Sequence, residues 1–98
     1  MRPRHTRRLC IPAAHPTAAL HFPGRPIIPG ALLLDEAAAA IAGTAKLRFR
    51  AVKFLSPARH GEALELHWQE DASSLVRFEL HRPGEAAPVL TGTLERLA

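Results

Sequence analysis

Residues 21–35 read HFPGRPIIPGALLLD, and this stretch determines where the chain turns and where its helix begins. Three prolines and two glycines lie between residues 22 and 30, so no regular element runs unbroken across them. An apolar segment follows, and Gly43 stands where a helix over residues 31–42 would end. The stretch therefore predicts a rigid turn after His21 and then a helix that carries Asp35 about one turn inside.

The predicted helix is apolar on almost every side. It contains the run Ala37–Ala40, which lets neighbouring backbones approach closely, and Glu36 is its clearest solvated position. Helical spacing places five residues on one face: Ala31, Leu34, Asp35, Ala38 and Ala42. A helix of this composition is expected to be surrounded by other elements, with Asp35 nearly buried against leucine and alanine.

The rest of the chain reads as strands with alternating apolar residues. We predict strands over residues 46–55, 62–69, 74–81 and 89–97, joined by short turns into an antiparallel meander. Within the first of these strands, the apolar residues change from odd positions, Leu47 and Phe49, to even positions, Val52 and Phe54. This change predicts a bulge near Ala51. Ahead of the helix, we expect a first strand over residues 8–13 and frayed residues 1–7.

The composition is that of one globular domain over residues 1–98. The chain is 47% hydrophobic and 22% charged, and its single cysteine excludes an internal disulfide and suits a reducing cytoplasm. No apolar stretch is long enough to span a bilayer, and the histidines have no metal-ligand spacing. The net charge of +4 favours an acidic partner, but no element concentrates the basic residues as nucleic-acid binding requires. We therefore expect neither a membrane nor a nucleic acid as partner.

The motif His21-Phe22-Pro23-Gly24, the segment Pro26–Gly30 and the acid at Asp35 resemble the signature of 3-hydroxyacyl-acyl-carrier-protein dehydratases. The resemblance covers roughly residues 8–97. It implies an α+β hot-dog fold, in which a curved antiparallel sheet of about five strands wraps one central helix. It also implies a cytoplasmic lyase of fatty acid or related lipid metabolism that acts as a homodimer or a higher oligomer of dimers.

The resemblance assigns roles to individual residues. His21 corresponds to the base and Asp35 to the acid, and the two meet across the dimer interface. The N–H of Gly30 corresponds to the donor that holds the thioester carbonyl. Phe22, Pro29 and Leu33 are the expected substrate contacts. An imidazole changes charge near neutral pH and suits a base, whereas a carboxyl must hold a proton to act as an acid, which burial favours.

The resemblance implies no metal and no cofactor, because the substrate is carried on the phosphopantetheine of acyl-carrier protein or coenzyme A. An acidic carrier protein is therefore the expected partner. Three basic residues are candidates for docking it: Arg25 in the turn, and Arg48 and Arg50 on the strand after the helix. Ordinary solvated surface charge explains Arg25 equally well, and it is the favoured interpretation for Arg48 and Arg50.

Two features depart from the family. Leu20 stands where many members have glycine, and the helix and strand found at the start of longer members have almost no counterpart here. Two alternatives remain open, and these departures motivate the second of them. One is a hot-dog thioesterase that uses Asp35 to activate water, and the other is a non-catalytic subunit that binds acylated carrier protein.

Overall fold

One helix lies against a five-stranded antiparallel sheet in the computed structural model, which describes residues 4–11, 28–71 and 73–97. The elements in chain order are β1 (Arg4–Leu9), α1 (Gly30–Ala42), β2 (Leu47–Phe54), β3 (Leu64–Glu70), β4 (Leu75–His81) and β5 (Pro88–Arg96). This confirms the predicted architecture of one helix and about five strands. Within the described ranges, no helix has the length and apolarity needed to cross a membrane.

The strand order is β1-β3-β4-β5-β2, with every neighbouring pair antiparallel. Strands β3, β4 and β5 form the predicted meander, but the prediction is wrong for β2, which pairs with β5 rather than with β3. The reason is the connection over residues 55–63. It is longer than a hairpin turn and carries the chain from one edge of the sheet across to β3. Strands β1 and β2 therefore form the two edges.

Strand β1 begins earlier than the sequence predicted. It pairs with β3 from Arg4 opposite Gln69 to Leu9 opposite Leu64, so the expected fraying of residues 1–7 is wrong for residues 4–7. The strand is polar and exposed, which an edge position tolerates. The His5 ring stacks on Trp68, with ring centroids 5.1 Å apart. Pairing with β3 thus orders a segment whose own composition did not predict a strand.

The predicted bulge in β2 is confirmed. The register with β5 shifts between Phe49 and Ala51, so that Phe49 lies opposite Leu94 and Ala51 lies opposite Thr93. The extra residue, Arg50, restores the alternation of the strand. Apolar residues on both sides of the bulge therefore share the sheet face that packs on the helix.

The core lies between that sheet face and one side of α1. The predicted inward residues of β4 and β5 are buried: Val76, Phe78, Leu80, Leu90 and Leu94. From the helix, Leu33, Ala37 and Ile41 complete the core, because residues four apart fall on one side. The expectation that the helix is surrounded is wrong for the single chain, since Ala31, Asp35 and Ala39 form an exposed row on the opposite side.

Candidate functional site

Helix α1 begins at Gly30, one residue before its predicted start. Pro29 precedes it in an extended conformation (φ −57°, ψ 138°), and its carbonyl accepts hydrogen bonds from the N–H groups of Leu32 at 3.0 Å and Leu33 at 3.3 Å. No side chain among the described residues caps this end. The first N–H groups of a helix have no partners inside it and lie at the positive end of its dipole. The start of α1 can therefore donate to an oxygen that carries negative charge.

An open cleft of about 610 Å³ lies beside this helix start. Its walls come from Gly30, Ala31 and Leu33 of the helix, from Phe54 and Leu55 at the end of β2, and from residues 56–58. Two residues predicted to contact substrate, Gly30 and Leu33, line the cleft, and Pro29 stands next to it in the chain. The structure thus places an open cleft beside the predicted donor at Gly30.

Phe54 is a cleft residue that the sequence analysis did not identify. A Cβ atom added at residue 30 would lie only 2.6 Å from Cε1 of Phe54, so the glycine allows the phenyl ring to lie over the helix start. The ring is nevertheless 55% exposed in the chain. An aromatic residue near the end of a predicted strand was the available signal, but the sequence does not show that it adjoins Gly30.

Asp35 lies on α1 but on the side opposite the core. The sequence analysis expected it to be nearly buried, and this is wrong for the single chain, in which Asp35 is exposed and Glu36 is half-buried. A step of two residues turns a helix by about 200°, which places Asp35 away from the buried residues Leu33 and Ala37. Any burial of its carboxyl must therefore come from outside the described part of this chain.

His21, Phe22 and Arg25 lie outside the described residues, so their predicted roles stay predictions. Arg48 and Arg50 are exposed on β2, as a docking surface requires. The Arg50 guanidinium forms an ion pair with Glu95, with Nη1 3.2 Å from Oε1. Across the described ranges, no three His, Cys, Asp or Glu side chains come together as metal ligands.

Arg82 is a second residue that the sequence analysis missed, and it holds one wall of the cleft. Its guanidinium donates to Glu62 Oε2 at 2.7 Å, to Ser56 Oγ at 3.2 Å and to the Pro57 carbonyl at 2.6 Å. The next residue, Ala58, accepts a hydrogen bond from the Ile28 N–H at 2.9 Å. One side chain thus links the turn after β4 to the cleft wall, and that wall contacts the segment leading into α1.

The partner carboxyl of Arg82 is held in its charged form. Partial burial raises the pKa of Glu62, but hydrogen bonds from the Arg59 N–H and the Arg82 guanidinium, with the charges of both arginines, lower it below its ordinary value of 4.5. A carboxyl whose pKa is lowered by folding stabilises the folded state at pH values above its ordinary pKa. That contribution is lost as the pH falls through the lowered pKa.

Replacing Arg82 with glutamine should loosen the cleft wall. We expect a loss of about 1–3 kcal/mol in the free energy of unfolding, because three hydrogen bonds of a charged donor disappear. The deficit relative to wild type should shrink as Glu62 becomes protonated in acid. Urea unfolding at neutral and acidic pH measures both effects.

The matched control for this variant is Arg96→Gln. Arg96 is similarly exposed, and its Nη2 binds Glu70 at 2.5 Å and the Ile41 carbonyl at 3.1 Å near the other end of α1. Amide hydrogen exchange at Ile28 should accelerate in Arg82→Gln but not in Arg96→Gln. Equal acceleration in both variants would contradict a local role for Arg82.

A helix on a curved five-stranded antiparallel sheet, with a cleft at the helix start, defines a hot-dog-fold protein. The dehydratase heterocomplex ApeI:P from Xenorhabdus doucetiae contains a similar chain, with a TM-score of 0.78 and 19% identity over 100% of this chain and 90% of that one. A family model described as ApeI dehydratase matches residues 2–93. The chain belongs to the ApeI-like dehydratase family, which confirms the predicted relationship to hot-dog dehydratases.

Other solved structures share the fold. An uncharacterized protein from Erwinia carotovora subsp. atroseptica has a TM-score of 0.71 and 20% identity over 96% of this chain and 84% of its own. The fluoroacetyl-CoA thioesterase FlK has a TM-score of 0.63 and 15% identity over 98% of this chain and 84% of its own. None of the curated proteins compared with the chain has a significantly similar sequence. At these identities, the likeness to solved structures shows the hot-dog fold alone.

Proposed function

We propose that this protein dehydrates a 3-hydroxyacyl thioester to the trans-2-enoyl thioester. The observation that carries the proposal is the uncapped start of α1 at Gly30, which opens into the cleft. Elimination of water from such a thioester places negative charge on the carbonyl oxygen, and a preorganised N–H donor stabilises that charge. A donor of this kind contributes on the order of 100- to 1,000-fold in rate. Membership of a dehydratase family supports the same reaction.

The reaction needs a base and an acid besides this donor. In our proposal His21 removes the proton from C2, and Asp35 gives a proton to the hydroxyl on C3. The C2–H and C3–O bonds break, a C2–C3 double bond forms, and water leaves. General acid–base help of this kind contributes about 100- to 10,000-fold. Phe22, Pro29 and Leu33 are proposed to hold the acyl part, together with Phe54.

We further propose that the site is completed by a second subunit. Asp35 faces away from the core of its own chain, in an exposed row with Ala31 and Ala39. A second hot-dog subunit laid on this side would bury the carboxyl and favour its protonated form. The sequence predicts a homodimer, whereas the ApeI of Xenorhabdus doucetiae is described in a heterocomplex, so the identity of the second subunit is a separate question.

The substrate is proposed to arrive on the phosphopantetheine of acyl-carrier protein or coenzyme A, with no further cofactor. An acyl-carrier protein would dock through basic side chains, for which Arg25, Arg48 and Arg50 remain the candidates. Arg48 is exposed, and Arg50 keeps an exposed guanidinium beside Glu95. Docking by these charges should weaken with added salt, because exposed charges are screened.

Hydrolysis of the thioester is the second candidate function. The exposure of the Asp35 carboxyl favours it, because a carboxylate in contact with water can activate that water as a nucleophile. The two reactions differ in their products. Dehydration leaves the thioester intact, whereas hydrolysis releases a free thiol.

Mass spectrometry of acylated carrier protein distinguishes the reactions. The purified protein is incubated with a 3-hydroxyacyl carrier protein and, separately, with the matching 2-enoyl form. We expect loss of one water from the first and gain of one water by the second. Release of free thiol would show that the protein hydrolyses the thioester and would contradict the dehydratase proposal. Carrier binding without a mass change would support the non-catalytic subunit.

A further inference from the structure

The free edge of β1 is strongly basic. Strand β1 ends the sheet on the side away from β2, and beyond it no strand pairs with its backbone among the described residues. Its sequence, RHTRRL, contains three arginines and no acidic residue. The sequence analysis placed residues 1–7 outside any element, so this row of arginines arises only in the folded chain. Unpaired N–H and C=O groups on an edge are a template for adding a strand, and the charges of β1 determine which strands can be added.

The three arginines of β1 have no carboxylate close to them. Arg4, Arg7 and Arg8 are exposed, and within the described ranges no carboxylate oxygen lies within 4.0 Å of their guanidinium groups. Arg7 lies opposite the buried Leu66, which places it on the helix side of the sheet. Because side chains alternate along a strand, Arg4 and Arg8 lie on the outer side. An added strand would therefore meet cations on both of its faces.

Side-chain contacts on both faces hold β1 against β3. On the helix side, the His5 ring stacks on Trp68 at an interplanar angle of 20°. On the outer side, Thr6 Oγ1 lies 3.4 Å from Nδ1 of His67. The backbone edge is thus already extended and fixed before any partner arrives. A partner that adds a strand would not have to order β1, which removes part of the entropic cost of binding.

A second copy of this chain is a poor match for the β1 edge. An antiparallel copy centred on Thr6 places Arg4 opposite Arg8, and the two-fold symmetry repeats that pair. Like charges directly opposite each other destabilise a strand pair. Shifting the register does not help, since β1 offers no acidic residue. The edge is complementary to a strand that carries carboxylates.

We propose that β1 binds a short, extended acidic segment of another protein as a sixth strand of the sheet. In an antiparallel register, the residues opposite Arg8, Arg7 and Arg4 are the first, second and fifth of that segment. The preferred pattern is therefore two adjacent acids and a third acid three residues later. Backbone hydrogen bonds would supply affinity, and the opposite-charge pairs would supply selectivity. The β1 edge is the one opposite β2, which borders the cleft, so this inference does not depend on the proposed reaction.

A fluorescent synthetic peptide tests the proposal. It carries the sequence Glu-Glu-Thr-Val-Glu between flanks of threonine and valine, and fluorescence anisotropy measures its binding to the whole chain. The double variant Arg4→Gln/Arg8→Gln should weaken binding by about 2- to 30-fold, because two opposite-charge pairs are lost. Added salt should weaken binding to wild type as well, since these charges are exposed. No measurable binding of the peptide by wild type would overturn the proposal.

The matched control variant is Lys53→Gln/Arg77→Gln. It removes the same charge from two exposed residues on β2 and β4, neither of which has a carboxylate oxygen within 4.0 Å in the described ranges, and it should keep wild-type affinity. An equal loss in this control would overturn the proposal, because attraction would then depend on net charge alone.

A modified peptide tests strand addition without altering the protein, which matters if the Arg4→Gln/Arg8→Gln variant loosens β1. Methylating the backbone nitrogens at every second residue, on the side that faces β1, keeps all the charges but removes the N–H donors. This peptide should bind wild type at least about fivefold more weakly, because backbone hydrogen bonds are lost. Equal binding of the two peptides would overturn strand addition. The assay involves no turnover, so failure of the dehydration assay would leave its result unaffected.

Discussion

Replacing Asp35 with asparagine is expected to slow dehydration of a 3-hydroxyacyl thioester by about 100- to 10,000-fold. The amide keeps the size of the side chain but has no proton to give to the departing hydroxyl, so the reaction loses its general acid. His21→Ala should cause a loss of similar size, because it removes the proposed base. Single-turnover rates with saturating substrate measure both losses without confusion from substrate binding.

Glu36→Gln is the matched control for this experiment. Glu36 is the next residue of α1, carries the same charge and is half-buried, but it has no proposed role in the reaction. Its variant should keep nearly full activity. If Asp35→Asn turned over substrate as fast as Glu36→Gln, Asp35 would not be the acid. Loss of water addition to the enoyl thioester should accompany the loss of dehydration, because both directions share one transition state.

Phe78→Ala is expected to cost about 3–5 kcal/mol of the free energy of unfolding, the largest stability loss that we predict. Phe78 is 1% exposed and meets Phe49 edge to face, with ring centroids 6.2 Å apart. Its ring lies over Gly92, since a Cβ at residue 92 would overlap the ring. Truncation removes buried apolar surface and leaves a cavity that the strands around it fill only in part.

Urea unfolding at fixed protein concentration tests this prediction, because association would otherwise shift the apparent stability. Phe54→Ala is the matched control, since it removes the same atoms from a ring that is 55% exposed. We expect it to cost less than about 1 kcal/mol. Equal losses for the two phenylalanines would contradict the assignment of Phe78 to the core.

Regular alternation explains why most of the sheet was predictable from sequence. In β4, buried residues recur at every second position, and the change of parity in β2 located the bulge correctly. Strand β1 was misplaced because its residues are polar, and its order comes from pairing with β3. The place of β2 beside β5 was missed because strand order depends on contacts far apart in sequence.

The side of α1 that faces the core was not predictable for a different reason. Alanine and leucine occur on every side of the helix, so apolar spacing did not show which row of residues faces the core. The buried row is Leu33, Ala37 and Ile41. The exposed row is Ala31, Asp35 and Ala39. The sequence predicted the helix start to within one residue, because an apolar run follows Pro29 and proline is tolerated at the start of a helix. It could not predict Arg82 or Phe54, whose roles depend on neighbours distant in the chain.

Because of the bulge at Arg50, the packing of β2 depends more on the number of residues in the strand than on the residue type at the bulge. A different residue at position 50 would still supply the extra step that returns Val52 and Phe54 to the helix side of the sheet. Deleting it would turn both residues outward and bring Lys53, which lies between them, to the helix side of the sheet. Homologous sequences with this architecture should therefore align without gaps across residues 47–54, and the bulge itself places no requirement on the residue type at position 50.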